Sequence, residues 1–306
     1  MGSTMDSSAP LLSGHEPRAM LRRLMAPEAP VLRPARALLG WLSDKQARGV
    51  LTSHRRDLEL TDEQRRAVEA ARAVVAAREK FQAPSPIVAP CPEVLHAHRA
   101  ALYGHERFKT FRDEGWEIAI VDLTRVCVVQ HTVVTEPDAR ITRLDANDLP
   151  ALADITLPIA DPQPLSYQVD SLRNVAVVGS PDGNLRVVGF AAREVPRGIH
   201  MGFIVEIATS YVQVAEVGGR FVLRDGNHRA AALVKQGITK VPALVRRFAH
   251  GEDLAPPKGV LAPATYLGER PPTALDYWDP AVSAAVLVPR RRKFVVIQGI
   301  EQSLAE

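Results

Sequence analysis

Two cysteines in 306 residues, Cys91 and Cys127, are too few and too far apart for a disulfide framework, and no metal or redox spacing joins them. Aromatic residues are only 5% of the chain, which leaves few candidates for stacking on nucleic-acid bases. No apolar run approaches the roughly eighteen residues that a membrane span requires. The opening MGSTMDSSAP is small and polar, and no hydrophobic core region follows it, so no secretory signal is expected. Together these features predict a cytoplasmic protein with no membrane partner. Strong charge of either sign is lacking too: 38 Lys+Arg stand against 35 Asp+Glu, a balance too mild to argue for nucleic acid by itself. The basic excess sits in residues 1–110, with 17 Lys+Arg against 12 Asp+Glu, whereas the remainder carries 21 against 23.

What is present is organised around residues 211–248, YVQVAEVGGRFVLRDGNHRAAALVKQGITKVPALVRRF. Residues 211–217 and 220–224 are β-prone runs joined through Gly218-Gly219, a pair that supplies the positive φ angles of a hairpin turn. Asp225-Gly226-Asn227-His228-Arg229 follows, then a helix-forming run over 230–235. Gly237 is placed as the helix's C-terminal cap, and residues 239–245 resume as a strand.

This layout predicts an anion site. Gly226 permits a sharp turn and close approach of a ligand, while Asn227 is a favourable N-cap. The first-turn N–H groups would then face outward with the positive end of the helix dipole behind them. His228 and Arg229 add donors, and a guanidinium suits phosphate oxygens. Asp225, being acidic, suits a metal, a hydroxyl or a proton better than a phosphate.

GGRFVLRDGNHRAAAL followed by GITKVPALV resembles the central motif of the ParB/sulfiredoxin-like superfamily over about forty residues, in which a G-x-x-R or D-G-x-x-R loop before a helix binds nucleotide phosphates. The D-G-x-x-R spelling is closest to the free serine kinases, and the resemblance implies phosphoryl transfer. Sulfiredoxins carry a cysteine where this chain has Asn227, so thiol chemistry is not expected. ParB proteins follow the domain with a helical DNA-binding segment, whereas residues 251–272 here are rich in proline.

Elsewhere, residues 1–15 read as a disordered lead and 16–92 as a helical N-terminal region. The latter includes a segment over 31–49 and a helix opened by Thr61 or Asp62, and it ends in the proline-rich connector QAPSPIVAPCP. The resemblance implies a ParB/sulfiredoxin-like domain over 93–250, with 251–306 expected as a proline-rich extension carrying a terminal strand. His96, His98 and His105 lie close together, but their spacing does not build a metal site. Strand-like runs over 174–178 and 185–192 flank the turn 179–184 and predict a hairpin. Residues 193–202 read as a loop that would bring Arg197 and His200 to the pocket. The run Arg290-Arg291-Arg292-Lys293 either grips a phosphate backbone or protects a strand end.

The expectation is therefore an α+β protein with a helical N-terminal region and a small mixed sheet. Its expected function is binding of a nucleoside triphosphate with Mg²⁺, followed by hydrolysis or phosphoryl transfer as an ATPase or phosphotransferase. Gly226, Asn227, His228 and Arg229 would hold phosphate, with Asp225 and His228 catalytic. The alternatives are a ParB-like DNA-binding protein or nuclease, and a non-catalytic module that binds a protein partner through its N-terminal helices.

Overall fold

The computed structural model describes residues 31–55, 57–82, 86–136, 139–159, 164–172, 174–254 and 260–301. The expected lead and the first part of the expected helical region, residues 16–30, lie outside them. In chain order the strands are β1 (Leu32–Ala37), β2 (Val88–Pro90), β3 (Glu117–Asp122), β4 (Cys127–Val128), β5 (Thr132–Val134), β6 (Ser166–Asp170), β7 (Val175–Ser180), β8 (Leu185–Val195), β9 (Gly198–Ile207), β10 (Gln213–Val217), β11 (Arg220–Asp225), β12 (Lys240–Phe248), β13 (Ala284–Pro289) and β14 (Lys293–Gln298). The helices are α1 (Asp44–Leu51), α2 (Asp62–Ala77), α3 (His96–Gly104), α4 (Lys109–Asp113), α5 (Ala139–Thr142), α6 (Leu149–Thr156), α7 (Asn227–Lys235) and α8 (Pro263–Tyr266). The fold is α+β.

A six-stranded mixed sheet, ordered β2-β3-β12-β10-β11-β4, is the platform of the molecule. β10 and β11 form the antiparallel hairpin turned by Gly218 and Gly219, both at positive φ. After α7 the chain returns as β12, parallel to β10, which places the motif's helix across the sheet. β10 and β12 are interior strands with near-continuous burial, as strands covered on both faces require. The C-terminal end of α7 closes as anticipated. Gly237 takes φ +79°, its N–H donates to Val234 O, and the Ile238 N–H donates to Leu233 O, which satisfies the last carbonyls.

The N-terminal region departs from its helical expectation at one place. Residues 31–49 contain β1, a 3-10 turn over Leu39–Trp41 and only then α1. β1 is the middle strand of a second sheet, paired antiparallel to β13 on one side and β5 on the other. Pairing on both edges overrides the weak local preference of LRPARA for helix. α2 begins where expected: the Thr61 side chain accepts from Gln64 N–H, and Gln64 reaches back to the Thr61 N–H. The proline-rich connector does not divide two cores. β2 lies within it and pairs with β3, and one apolar cluster includes Leu38, Val68, Trp116, Val214 and Tyr277.

Two further expectations are corrected. β7 and β8 do not form a hairpin across 179–184: β7 pairs with β6 and β14, while β8 pairs with β9. The segment 193–202 is not a loop either. It is the distal half of a long antiparallel ribbon in which Val195 faces Gly198, so the turn consists of Pro196 and Arg197 alone.

Candidate functional site

The loop 225–229 sits where β11 ends and α7 starts. Gly226, not Asn227, is the N-cap, and no side chain caps the helix. Gly226 is left-handed at φ +83°, and a Cβ there would stand 2.9 Å from Val212 Cα, so conformation and space both demand glycine. That conformation starts the helix at the residue expected to cap it, one position earlier than anticipated. Asn227 becomes the first helical residue and is buried; its Nδ2 donates to Leu223 O (3.3 Å), and its Oδ1 has no partner among the described residues.

Asp225 is held from two directions. Its Oδ1 accepts from the Gly226 N–H at 2.7 Å, and its Oδ2 accepts from Ser210 Oγ at 3.1 Å. Arg229 runs back along the same wall. Nη1 donates to Ile155 O at 2.8 Å, while Nη2 donates to Ser210 O at 2.6 Å and Ser210 Oγ at 2.7 Å. The guanidinium therefore ties the start of α7 to the end of α6 and to residue 210, and both terminal nitrogens are already engaged by protein oxygens. Charge-assisted bonds to carbonyls rank among the stronger hydrogen bonds.

His228 reaches the second sheet. Its Nδ1 accepts the Val134 N–H of β5 at 2.9 Å. The residue is exposed overall, yet desolvation, followed by the charges of Arg33 and Arg229, pushes its pKa down to about 4. At neutral pH the ring is uncharged. With Nδ1 accepting, the proton sits on Nε2, so the side chain is a neutral donor rather than a cation or a base.

The remaining sequence-predicted residues are not gathered here. Arg197 occupies the tip of the β8–β9 ribbon and His200 faces Arg193 across it; both are exposed, and no described hydrogen bond or ion pair links either to residues 225–229. His98 Nε2 lies 2.9 Å from Leu157 O. Cys127 is buried on β4, in register with Val222 of β11, and burial pushes its thiol up to about 11, away from the thiolate that sulfur chemistry needs.

A cleft of about 840 Å³ lies instead between α1, α2 and the turn carrying His54, and Arg291 of the basic run reaches it. Its arginines are mostly balanced: Arg48 pairs with Glu59 (3.0 Å), Arg72 with Asp44 (2.7 Å), Arg55 with Asp57 (2.9 Å) and Arg65 with Asp62 (3.4 Å). Pairs this exposed contribute little, and such balance disfavours a phosphate backbone in the cleft. The loop therefore remains the candidate site. Ser210, Ile155 and Val134 were not singled out in the sequence, because their roles rest on backbone carbonyls, a hydroxyl and an amide that carry no local motif.

No protein-family pattern, no curated protein and no solved structure matches this chain.

Proposed function

We propose that residues 225–229 bind the phosphates of a nucleoside triphosphate, with Mg²⁺, and that hydrolysis or phosphoryl transfer takes place there. The supporting observation is the start of α7 itself: a left-handed glycine with no side-chain cap, beside a carboxylate fixed in place. First-turn N–H groups of a helix lack intrahelical acceptors and favour anions, so the backbone takes the phosphate. His228 adds its Nε2–H as a neutral donor. Arg229 shapes the loop through Ile155 and Ser210 and lends its charge at short range. Asp225 is the base or the Mg²⁺ partner, since no other carboxylate lies within the loop.

The test is thermal stabilisation by ATP, CTP, GTP and ADP with Mg²⁺, followed by titration calorimetry and single-turnover assays of Asp225→Asn. Ligand binding raises apparent stability by mass action. Asn at 225 retains an acceptor for the Gly226 N–H and can donate to Ser210 Oγ. The variant is therefore expected to bind with near wild-type affinity and to lose turnover. A second reading is favoured by one observation, the engagement of both Arg229 terminal nitrogens by protein oxygens: the loop would then be a structural clasp in a non-catalytic interaction module. Absence of stabilisation by all four nucleotides selects that reading.

A further inference from the structure

Eleven of the nineteen large apolar side chains exposed among the described residues lie between Leu165 and Ile204, and seven of those belong to β8 and β9. These two strands pair only with each other among the described residues. Their register sorts the side chains by face. Phe190 stands opposite Phe203, Ala192 opposite Met201 and Glu194 opposite Ile199, all pointing one way; Ala191 with Gly202 and Arg193 with His200 point the other way. On the first face Phe190 is 73% exposed, Met201 75%, Ile199 63% and Phe203 54%. An unsupported two-stranded ribbon is marginally stable in water, and an apolar stripe of this kind marks an interaction surface.

We propose that this face is an isologous interface, docking on the same face of a second copy of the chain. Four large side chains exposed to this degree leave on the order of 600 Å² per copy, since one aromatic alone presents about 150–250 Å². Two copies then bury about 1,200 Å², the lower bound of a specific interface. The composition fits as well: aromatic residues and methionine are enriched in interface cores, and the only charge on the face is Glu194, toward the tip. Stacking the face on its own copy places apolar side chains against apolar side chains under two-fold symmetry and closes the assembly at two.

The test is sedimentation or light scattering of the full chain across a dilution series. Wild type is expected to dimerise reversibly. Met201→Glu and Phe190→Ser should each weaken the dimer at least about tenfold, as loss of an interface anchor does. Arg193→Ala and His200→Ala, on the opposite face, should leave association unchanged. Both apolar-face variants alter exposed positions, so far-ultraviolet circular dichroism and melting of the monomer should match wild type. A wild-type chain that stays monomeric throughout overturns the proposal. So does a dimer insensitive to Phe190→Ser and Met201→Glu, or one equally sensitive on both faces of the ribbon.

Discussion

The loop at the start of α7 and the β8–β9 ribbon are opposites in how they treat their side chains. The loop is built from polar and charged residues, and nearly every polar atom is directed into the protein: Arg229 onto Ile155 and Ser210, Asp225 onto Gly226 and Ser210, His228 onto Val134. The ribbon is rich in apolar residues and directs Phe190, Met201 and Phe203 into solvent. Residue type alone would have reversed the two. A guanidinium is buried by being bonded, and an aromatic ring is left exposed only where something else covers it or the chain carries the penalty.

The comparison can be broken most sharply at Gly226. Replacement by alanine sets a Cβ against Val212 and holds a side chain at φ +83°, so a loss of about 2–4 kcal/mol is expected in chemical denaturation. A loss below 1 kcal/mol would mean that the loop shifts freely and is not sealed. Next in size is Arg229→Ala, which leaves the Ile155 and Ser210 carbonyls without their charged donor. The expected cost is about 2–3 kcal/mol, with Arg229→Lys recovering only part because an ammonium cannot reproduce the fork.

A third effect is read in pH. His228 is depressed in the folded state, so the unfolded chain binds the extra proton between the ordinary histidine value near 6.5 and the folded value of about 4. The stabilisation is thus fully present above about pH 6.5 and is lost as pH falls toward 4. Because the residue is exposed, solvent screening reduces the effect to about 1 kcal/mol. His228→Gln, which keeps an acceptor for Val134 N–H, should flatten that part of the stability profile. The smallest effect belongs to the ribbon: below the concentration of self-association, Phe190→Ser should change stability by no more than about 0.5 kcal/mol, as exposed positions generally do. A larger loss would mean that the ribbon's apolar face packs on its own molecule.

Much of the motif region was legible in sequence because its signals are local. Gly218-Gly219, the helical run after residue 229, Gly237 and the strand beyond it each announce themselves within a few residues. Asn227 misled for a local reason as well: it is a favoured cap, but the left-handed Gly226 takes that position first. β1 could not be read locally. LRPARA becomes a strand only because residues 132–134 and 284–289 flank it, and no window of sequence contains all three. The ribbon was obscured by Pro196-Arg-Gly198, punctuation that marks a loop in most contexts but here needs only two residues to reverse two long strands. The closure of Arg229 depends on Ile155, 74 positions earlier, through a backbone carbonyl that every residue type supplies.

β1 also sets the order of events during synthesis. Ala37 faces Ala284 and Leu32 faces Pro289, so one whole edge of this strand must wait for a partner made about 250 residues later. At about 5–20 residues per second, that is roughly 12–50 s in which Leu32–Ala37 is on offer with at least one of its two neighbours missing. Contacts of such sequence separation slow folding, because the chain closes its longest loop before the pairing rewards it. The second sheet therefore completes only once β13 is made, and Val134, which holds His228 in place, stands on it. The nascent chain can form the β11–α7 turn early, but it acquires the finished site only when its final strands arrive.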